Sequence, residues 1–187
     1  MPNQNNIIKS IKKIVPEEIV AKFDFCESEE SYITQRIAIV KQMDKLMSKE
    51  QRLAVMEKQG CCITGKPAAA HSEFGKKYKD KSLSERLALY DEMDTSHKPP
   101  CRLNDDGTLS VFWSHGQQGN YVCVCGNIKK LPKPVNVSLT YCGCCGGHVR
   151  QNLQKSLGVK LKLKEIVSSP ISSNGEKHCE FLFEIVV

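Results

Sequence analysis

Four cysteines carry the chemistry this sequence offers most directly: Cys123 and Cys125 in Tyr-Val-Cys-Val-Cys, and Cys142 and Cys144 in Tyr-Cys-Gly-Cys-Cys-Gly-Gly-His. The thiolate is both the form of cysteine that ligates metal and the form that attacks electrophiles, so lowering these pKa values prepares the thiols for either task. Tyr121, Cys123 and Cys125 alternate as strand positions do, which predicts both thiols on one side with backbones about 7 Å apart. Cys142, Cys144 and Cys145 stand before a helix predicted to begin near Gly147, whose free amides and positive end favour thiolates. The glycines at 143, 146 and 147 leave room for a ligand or another strand.

Three uses follow, and the residues leave them open. A zinc-like metal would take Cys123, Cys125, Cys142 and Cys144, with Cys62 and His148 as additional ligands, although the spacing is C-x-C and not the common C-x2-C. A cysteine hydrolase would use Cys142 or Cys144 as nucleophile, His148 or the remote His71 or His115 as base, and helix-start amides as oxyanion donors. A redox sensor would cross-bond Cys123 with Cys125, or Cys144 with Cys145. The plain alternative is packing, which also accounts for the isolated Cys26 and Cys101. Cys61 and Cys62 follow Gly60, and adjacent side chains point apart, so at most one joins the cluster. The run from Gly60 to Lys66 imitates a phosphate loop, but Pro67 stands where the hydroxyl residue belongs and no strand precedes it.

At 187 residues and 40% hydrophobic content, the chain supports one substantial core, or a helical subdomain attached to a larger one. The net charge of +6 comes from 27 basic against 21 acidic residues. These are interleaved, and the densest run, Lys76, Lys77, Lys79 and Lys81, has only Tyr78 as an aromatic platform, so no nucleic-acid partner is expected. No apolar run approaches the roughly 18 to 20 residues of a membrane helix, and the first residues lack a cleavable leader. The expectation is a cytoplasmic protein that keeps off membranes. In that compartment ten cysteines read as metal or thiol chemistry before disulfides.

The elements that must position the cysteines come in two blocks. Ile7, Ile8, Ile11, Ile14 and Val15 share a helical face, and a short helix carrying Ile19, Val20 and Phe23 follows Pro16. A longer helix is expected from about Ser28 to Met47. Ser48 with Gln51, and Ser82 with Glu85, read as capping boxes opening two more, the first ending at Gly60 and the second running from Leu83 to Met93. After Pro99 and Pro100 the period changes to two. Asp106-Gly107 predicts a hairpin into Leu109, Val111 and Trp113, Tyr121 to Cys125 reads as a further strand, and Val149, Leu153 and Leu157 mark a helix ended by Gly158.

Val159, Leu161, Leu163 and Val167 then alternate with lysines, and Phe181, Phe183 and Ile185 alternate with Glu180, Leu182 and Glu184. Pairing Lys160 with Glu184 and Lys164 with Glu180 sets Leu161 opposite Phe183 and Leu163 opposite Phe181, and leaves Glu165 beside Cys179. The expected fold is α+β: a helical region, residues 1–98, packed on an antiparallel sheet of four or five strands in residues 99–187. One helix is inserted before the terminal hairpin.

The stretch from Tyr121 to Val187, about a third of the chain, resembles cysteine-rich bacterial proteins related to the vinyl-four-reductase ligand-binding domain. The matching residues are Cys142, Cys144, Gly147, Gly158, Cys179 and Phe181. Gly126 departs from that pattern, where similar proteins tend to have proline, as do the extra Cys145 and His148. The resemblance implies helices on an antiparallel sheet, as in nitric-oxide sensor and Golgi transport-particle domains, with a small-ligand pocket between them and a homodimer formed through helices. Some relatives are described as hydrolases of amino-thiazoline carboxylate, which makes thiol-assisted ring opening the enzymatic alternative.

Overall fold

A computed structural model describes residues 4–25, 31–60, 66–93, 98–131 and 137–186. Cys26, Cys61 and Cys62 lie outside them, and with them the expectation that Cys62 adds a ligand. Helices come first in the chain: α1 (Gln4–Ile14), α2 (Glu17–Val20), α3 (Tyr32–Leu46), α4 (Lys49–Met56), α5 (Lys66–Lys77) and α6 (Leu83–Asp91). The strands β1 (Cys101–Leu103) and β2 (Leu109–Phe112), the helix α7 (Gly143–Leu157), and the strands β3 (Lys160–Ser168) and β4 (Glu180–Val186) complete the α+β fold. The sheet is antiparallel in the order β1-β2-β4-β3.

Local chemistry explains most of the boundaries. Both capping boxes form: at α4 the Gln51 amide donates to Ser48 Oγ at 3.2 Å while the Ser48 amide donates to Gln51 Oε1 at 2.9 Å, and Ser82 and Glu85 repeat the exchange at α6. Each satisfies two orphan amides of a first turn. Helix α3 opens at Ser31, whose Oγ accepts from the Thr34 amide. The β1–β2 turn is closed by Gly107 in the left-handed region and by Asp106 Oδ1 accepting from the Thr108 amide.

Two cores result. In one, Ile7 and Ile11 of α1 meet Ile39, Val40 and Met43 of α3 and Val55 and Met56 of α4, with Cys123, Tyr141 and Cys144 at the margin. In the other, Val149, Leu153 and Leu157 of α7 lie on Leu109, Val111, Leu161, Leu163, Phe181 and Phe183 of the sheet. Cys145 packs against both.

Three expectations need correction. Residues 121–125 do not form a strand: the one bridge there is His115 with Val122. The Tyr121 amide goes to the Gly175 carbonyl, and the Cys125 amide to Cys123 Sγ at 3.4 Å. With those donors satisfied off the ladder, pairing among the described residues stops at that single bridge. The terminal hairpin keeps its apolar face but slides by two: Lys160 faces Val186, Lys162 faces Glu184, and Leu163 faces Phe183. Exposed ion pairs contribute little and do not discriminate here, because the observed register also sets opposite charges face to face, Lys162 with Glu184. Bulges along β3 then bury Ile166 and turn Val167 out, 46% exposed. Glu165 lies opposite Leu182 and pairs with Lys49 at 3.2 Å, away from Cys179.

Thirdly, α7 begins at Gly143, a turn earlier than expected, behind a 3-10 turn at Leu139–Cys142 capped by Ser138. Its glycines admit neighbouring protein, not a ligand. A Cβ on Gly143 would meet Met56 Cβ at 2.6 Å, and one on Gly147 would meet the Glu57 carbonyl oxygen at 2.1 Å. Gly147→Ala therefore has two opposed effects: a helix-propensity gain of about 1 kcal/mol, and a backbone overlap of the kind that costs about 1 to 3 kcal/mol. The overlap is with main chain and cannot be relieved by a rotamer, so urea unfolding should show a net loss. A more stable variant would place α7 farther from residue 57 than described.

The open edge of β3 is closed by side chains: the Leu161 amide donates to Gln154 Oε1 at 2.8 Å and the Leu163 amide to Glu57 Oε2 at 3.2 Å. Among the described residues no helix is long and apolar enough to cross a membrane.

Candidate functional site

The early start of α7 puts Cys144 and Cys145 inside its first turn and leaves Cys142 as the residue before it. Against this turn lies a residue that the sequence reading missed. Arg36 of α3 is only 1% exposed, stacks its guanidinium 4.5 Å from the Tyr141 ring centroid, and hydrogen-bonds Cys144. Burial opposes its charge, yet Cys144 above all, then Tyr141 and Tyr32, hold it fully protonated. No carboxylate is among these influences: Asp44, near in sequence, is taken by Arg52 at 2.9 Å and by the Thr140 hydroxyl at 2.6 Å. Nε and Nη2 of Arg36 find no hydrogen-bond partner among the described residues. A buried guanidinium needs an anion, and sulfur is what the fold offers it.

Three sulfurs answer that need. The Cys145 thiol, with its single proton, is coupled to both Cys125 and Cys144 and can serve as donor to either. For Cys125 this bond, helped by the Ile128 and Asn127 amides and by Arg36, outweighs burial and lowers the thiol to about 6. Those amides open the 3-10 turn Ile128–Lys130, which aims them at the sulfur. For Cys144 the Cys145 bond and Arg36 outweigh near-complete burial and lower it to about 7. As the shared donor, Cys145 is pushed well above the usual thiol range. The three titrate as a unit.

The other cysteines stand apart from this trio. Cys123 is lowered chiefly by the thiol of Cys179, which donates to it and is itself raised. Cys142, expected to share the helix-start effect, is buried without such help and is pushed far up, its sulfur turned to Ser169. Cys101 rises to about 12 for the same reason, desolvation. Of the four cysteines singled out from the sequence, the fold thus joins Cys125 and Cys144 through Cys145, sets Cys123 beside Cys179, and buries Cys142 as a neutral thiol. Among the described residues no three His, Cys, Asp or Glu side chains are arranged to hold a metal ion.

The histidines lie elsewhere. His148 Nε2 is 3.1 Å from Asn152 Nδ2 and its ring is 4.6 Å from Trp113. His71 Nδ1 is 2.8 Å from Ser156 Oγ in the interior, and His115 is exposed. None is among the main influences on Cys142 or Cys144. One sequence signal could have found Arg36: it falls in register with Val40, Met43 and Met47, a cation in an otherwise apolar helical stripe.

No protein-family model matches this chain, and no curated protein matches it. Among solved structures it is similar to the crystal structure of an H-NOX protein from S. oneidensis in the Fe(II)NO ligation state, at 9% identity over 98% of this chain and 89% of that one, with a TM-score of 0.32. A second is the NMR structure of a mutant H-NOX domain from Shewanella oneidensis in the Fe(II)CO ligation state, at 13% identity over 99% and 98%, again with a TM-score of 0.32. Superpositions this loose identify neither a shared fold nor a shared ligand.

Proposed function

We propose that this protein is a small-ligand-binding module that holds its ligand through sulfur. Cys125 and Cys144 bond the ligand, Cys145 is their proton donor, and Arg36 is their counter-charge. One observation carries the reading: a guanidinium withdrawn from water whose partners among the described residues are thiols and rings, with no carboxylate. A cation so placed is costly for stability alone, and it favours the thiolate that soft ligands and electrophiles require. The cytoplasm, which keeps thiols reduced, is the compartment this chemistry suits. Kinship with vinyl-four-reductase-like ligand-binding proteins is part of the same proposal.

The redox alternative has its own support in the coupling of Cys145 with Cys125, a pair that joins α7 to the separate segment carrying Cys125. A hydrolase would need a base beside the nucleophile, and what accompanies Cys144 is an arginine, which does not give up its proton.

Pulsed alkylation of the reduced protein across pH, read by peptide mass spectrometry, tests the reading. Labelling of Cys125 and Cys144 should rise with apparent midpoints well below the ordinary thiol value, near pH 6 to 7 for the coupled unit, while Cys142 and Cys101 stay unlabelled. Two lowered thiols stabilise the fold fully above the ordinary thiol value of about 8.5, and that contribution is lost as pH falls through 7 and then 6. Cys145, raised, acts in the opposite sense: its contribution is full below about 8.5 and is lost at higher pH. Midpoints of about 8.5 for both Cys125 and Cys144 would sink the proposal. One cysteine alone reacting, with a histidine substitution copying its loss, would favour the hydrolase.

A further inference from the structure

We infer that Arg36, Tyr32 and Tyr141 form a buried receptor for a carboxylate, the acid group of a small ligand, held on the part of the guanidinium that Cys144 does not use. Unpaired donors carry this, and it stands whether or not the nearby thiols ionise.

Two nitrogens of Arg36, Nε and Nη2, and the hydroxyls of Tyr32 and Tyr141 are buried without a hydrogen-bond partner among the described residues. They lie together. Tyr32 stands one turn before Arg36 on the same face of α3, and the Tyr141 ring centroid is 4.5 Å from the guanidinium carbon. Both tyrosines are close enough to act on the guanidinium charge. Burial pushes Tyr141 above the ordinary phenol range, so its hydroxyl keeps a proton to donate. Arg52 and Arg150 also leave Nε unpaired, but each has a carboxylate, at 2.9 Å and 2.8 Å. Arg36 has none among the described residues. Buried donors without acceptors are costly and seldom left so. Three side chains orphaned in one place point to an acceptor supplied from outside the chain.

The open atoms define what that acceptor is. Nε–H and the adjacent Nη2–H are parallel donors along one side of the planar guanidinium, the arrangement that takes both oxygens of a carboxylate. A carboxylate offers about four lone-pair sites, enough for these two N–H groups and the two hydroxyls. Its single negative charge matches the single positive one, whereas a phosphate dianion would leave the dehydrated site negative. Water leaves the charge unmatched and cannot accept from all four donors. Tyr32 is half-buried in the first turn of α3, so the path to Arg36 runs past its ring.

The test titrates sodium acetate into the reduced full-length protein at constant ionic strength while following the side-chain Nε–H resonance of Arg36, assigned by its loss in Arg36→Met. Acetate should shift that resonance saturably, with one site per chain by calorimetry, and inorganic phosphate or chloride should not. Tyr32→Phe and Tyr141→Phe should each weaken acetate binding about ten- to a hundredfold, the usual worth of a hydrogen bond to a charged group. Arg36→Met should abolish it. A second measurement needs no acetate: both phenylalanine variants should unfold in urea at the parent midpoint or higher, since each loses a hydroxyl without a partner. An unmoved Arg36 resonance, phosphate bound in preference to acetate, or undiminished acetate binding in Arg36→Met would each overturn the inference. A lower urea midpoint in either phenylalanine variant would overturn it too, by showing that its hydroxyl is bonded within the chain.

Discussion

Arg36→Met should leave the protein folded and make its thiols slow. Methionine matches the length and apolar stem of the arginine, and exchanging a buried charge for a packed apolar side chain is often neutral or stabilising. The thiols respond differently. Cys144 is held near 7 against burial by the Cys145 bond and by Arg36, in charge and in a hydrogen bond. Without the guanidinium, desolvation should return the thiol to 8.5 or above, so the thiolate fraction at neutral pH, and the alkylation rate with it, should fall about tenfold or more. Cys125, where Arg36 ranks behind the Cys145 bond and two backbone amides, should slow less. Arg36→Lys keeps a charge without the planar fork and should give an intermediate rate. Unchanged alkylation of Cys144 in a folded Arg36→Met variant would show that the arginine merely packs there.

Phe183→Ala should cost about 3 to 5 kcal/mol, as truncation of a large core aromatic does. Phe183 is fully buried on β4, an interior strand of the sheet, with Leu109 opposite on β2 and Leu163 opposite on β3. Both neighbours are anchored by their own strands, so the space cannot collapse from either side. Against a typical stability of about 5 to 15 kcal/mol this is a large share, and urea unfolding would show it as a lower midpoint at similar slope. A loss under about 1 kcal/mol would mean that α7 does not cover this face.

The particular successes and failures of reading the sequence have physical causes. The capping boxes at Ser48 and Ser82 were legible because both partners lie within one turn of each other. The apolar faces of the terminal hairpin were legible because alternation survives any shift by two. The register itself was not, since opposite charges at the surface fit equally well two residues along, where Lys162 faces Glu184. Cys123 and Cys125 alternate as in a strand, but extended loop alternates too, and what tells them apart is that pairing among the described residues stops at the single His115–Val122 bridge. Helix α5 is faint in sequence because Pro67, three alanines and Gly75 leave Phe74 as its one large apolar anchor; Phe74 is buried against Tyr90, and close backbone approach adds to it: a Cβ on Gly75 would fall 1.9 Å from the Lys155 carbonyl oxygen.

The candidate site was legible in composition but not in membership. Cysteine runs announce themselves, whereas which sulfurs meet depends on where α7 begins. A start at Gly143 instead of Gly147 brings Cys145 in as the central donor and sets Cys142 aside. Arg36 is a long-range partner, and nothing within its own helix marks it beyond its place among apolar neighbours.

Glu57 holds α7 in two ways and ties it to the sheet in a third: its carbonyl oxygen lies under Gly147, its Oε1 pairs with Arg150 at 2.8 Å, and its Oε2 receives the Leu163 amide from β3. A helix pinned along one side can neither slide on its axis nor roll without breaking one of these contacts. Cys144 and Cys145 are therefore fixtures of a rigid wall and can only shift together. Any adjustment of the gap between Cys125 and Cys144 must come from the opposite side, where Cys125 hangs from an irregular segment ahead of the Ile128–Lys130 turn. The jaws are asymmetric, with one fixed and one adjustable, and a ligand that draws the sulfurs together would report its arrival through the displacement of residues 123–130, not through α7.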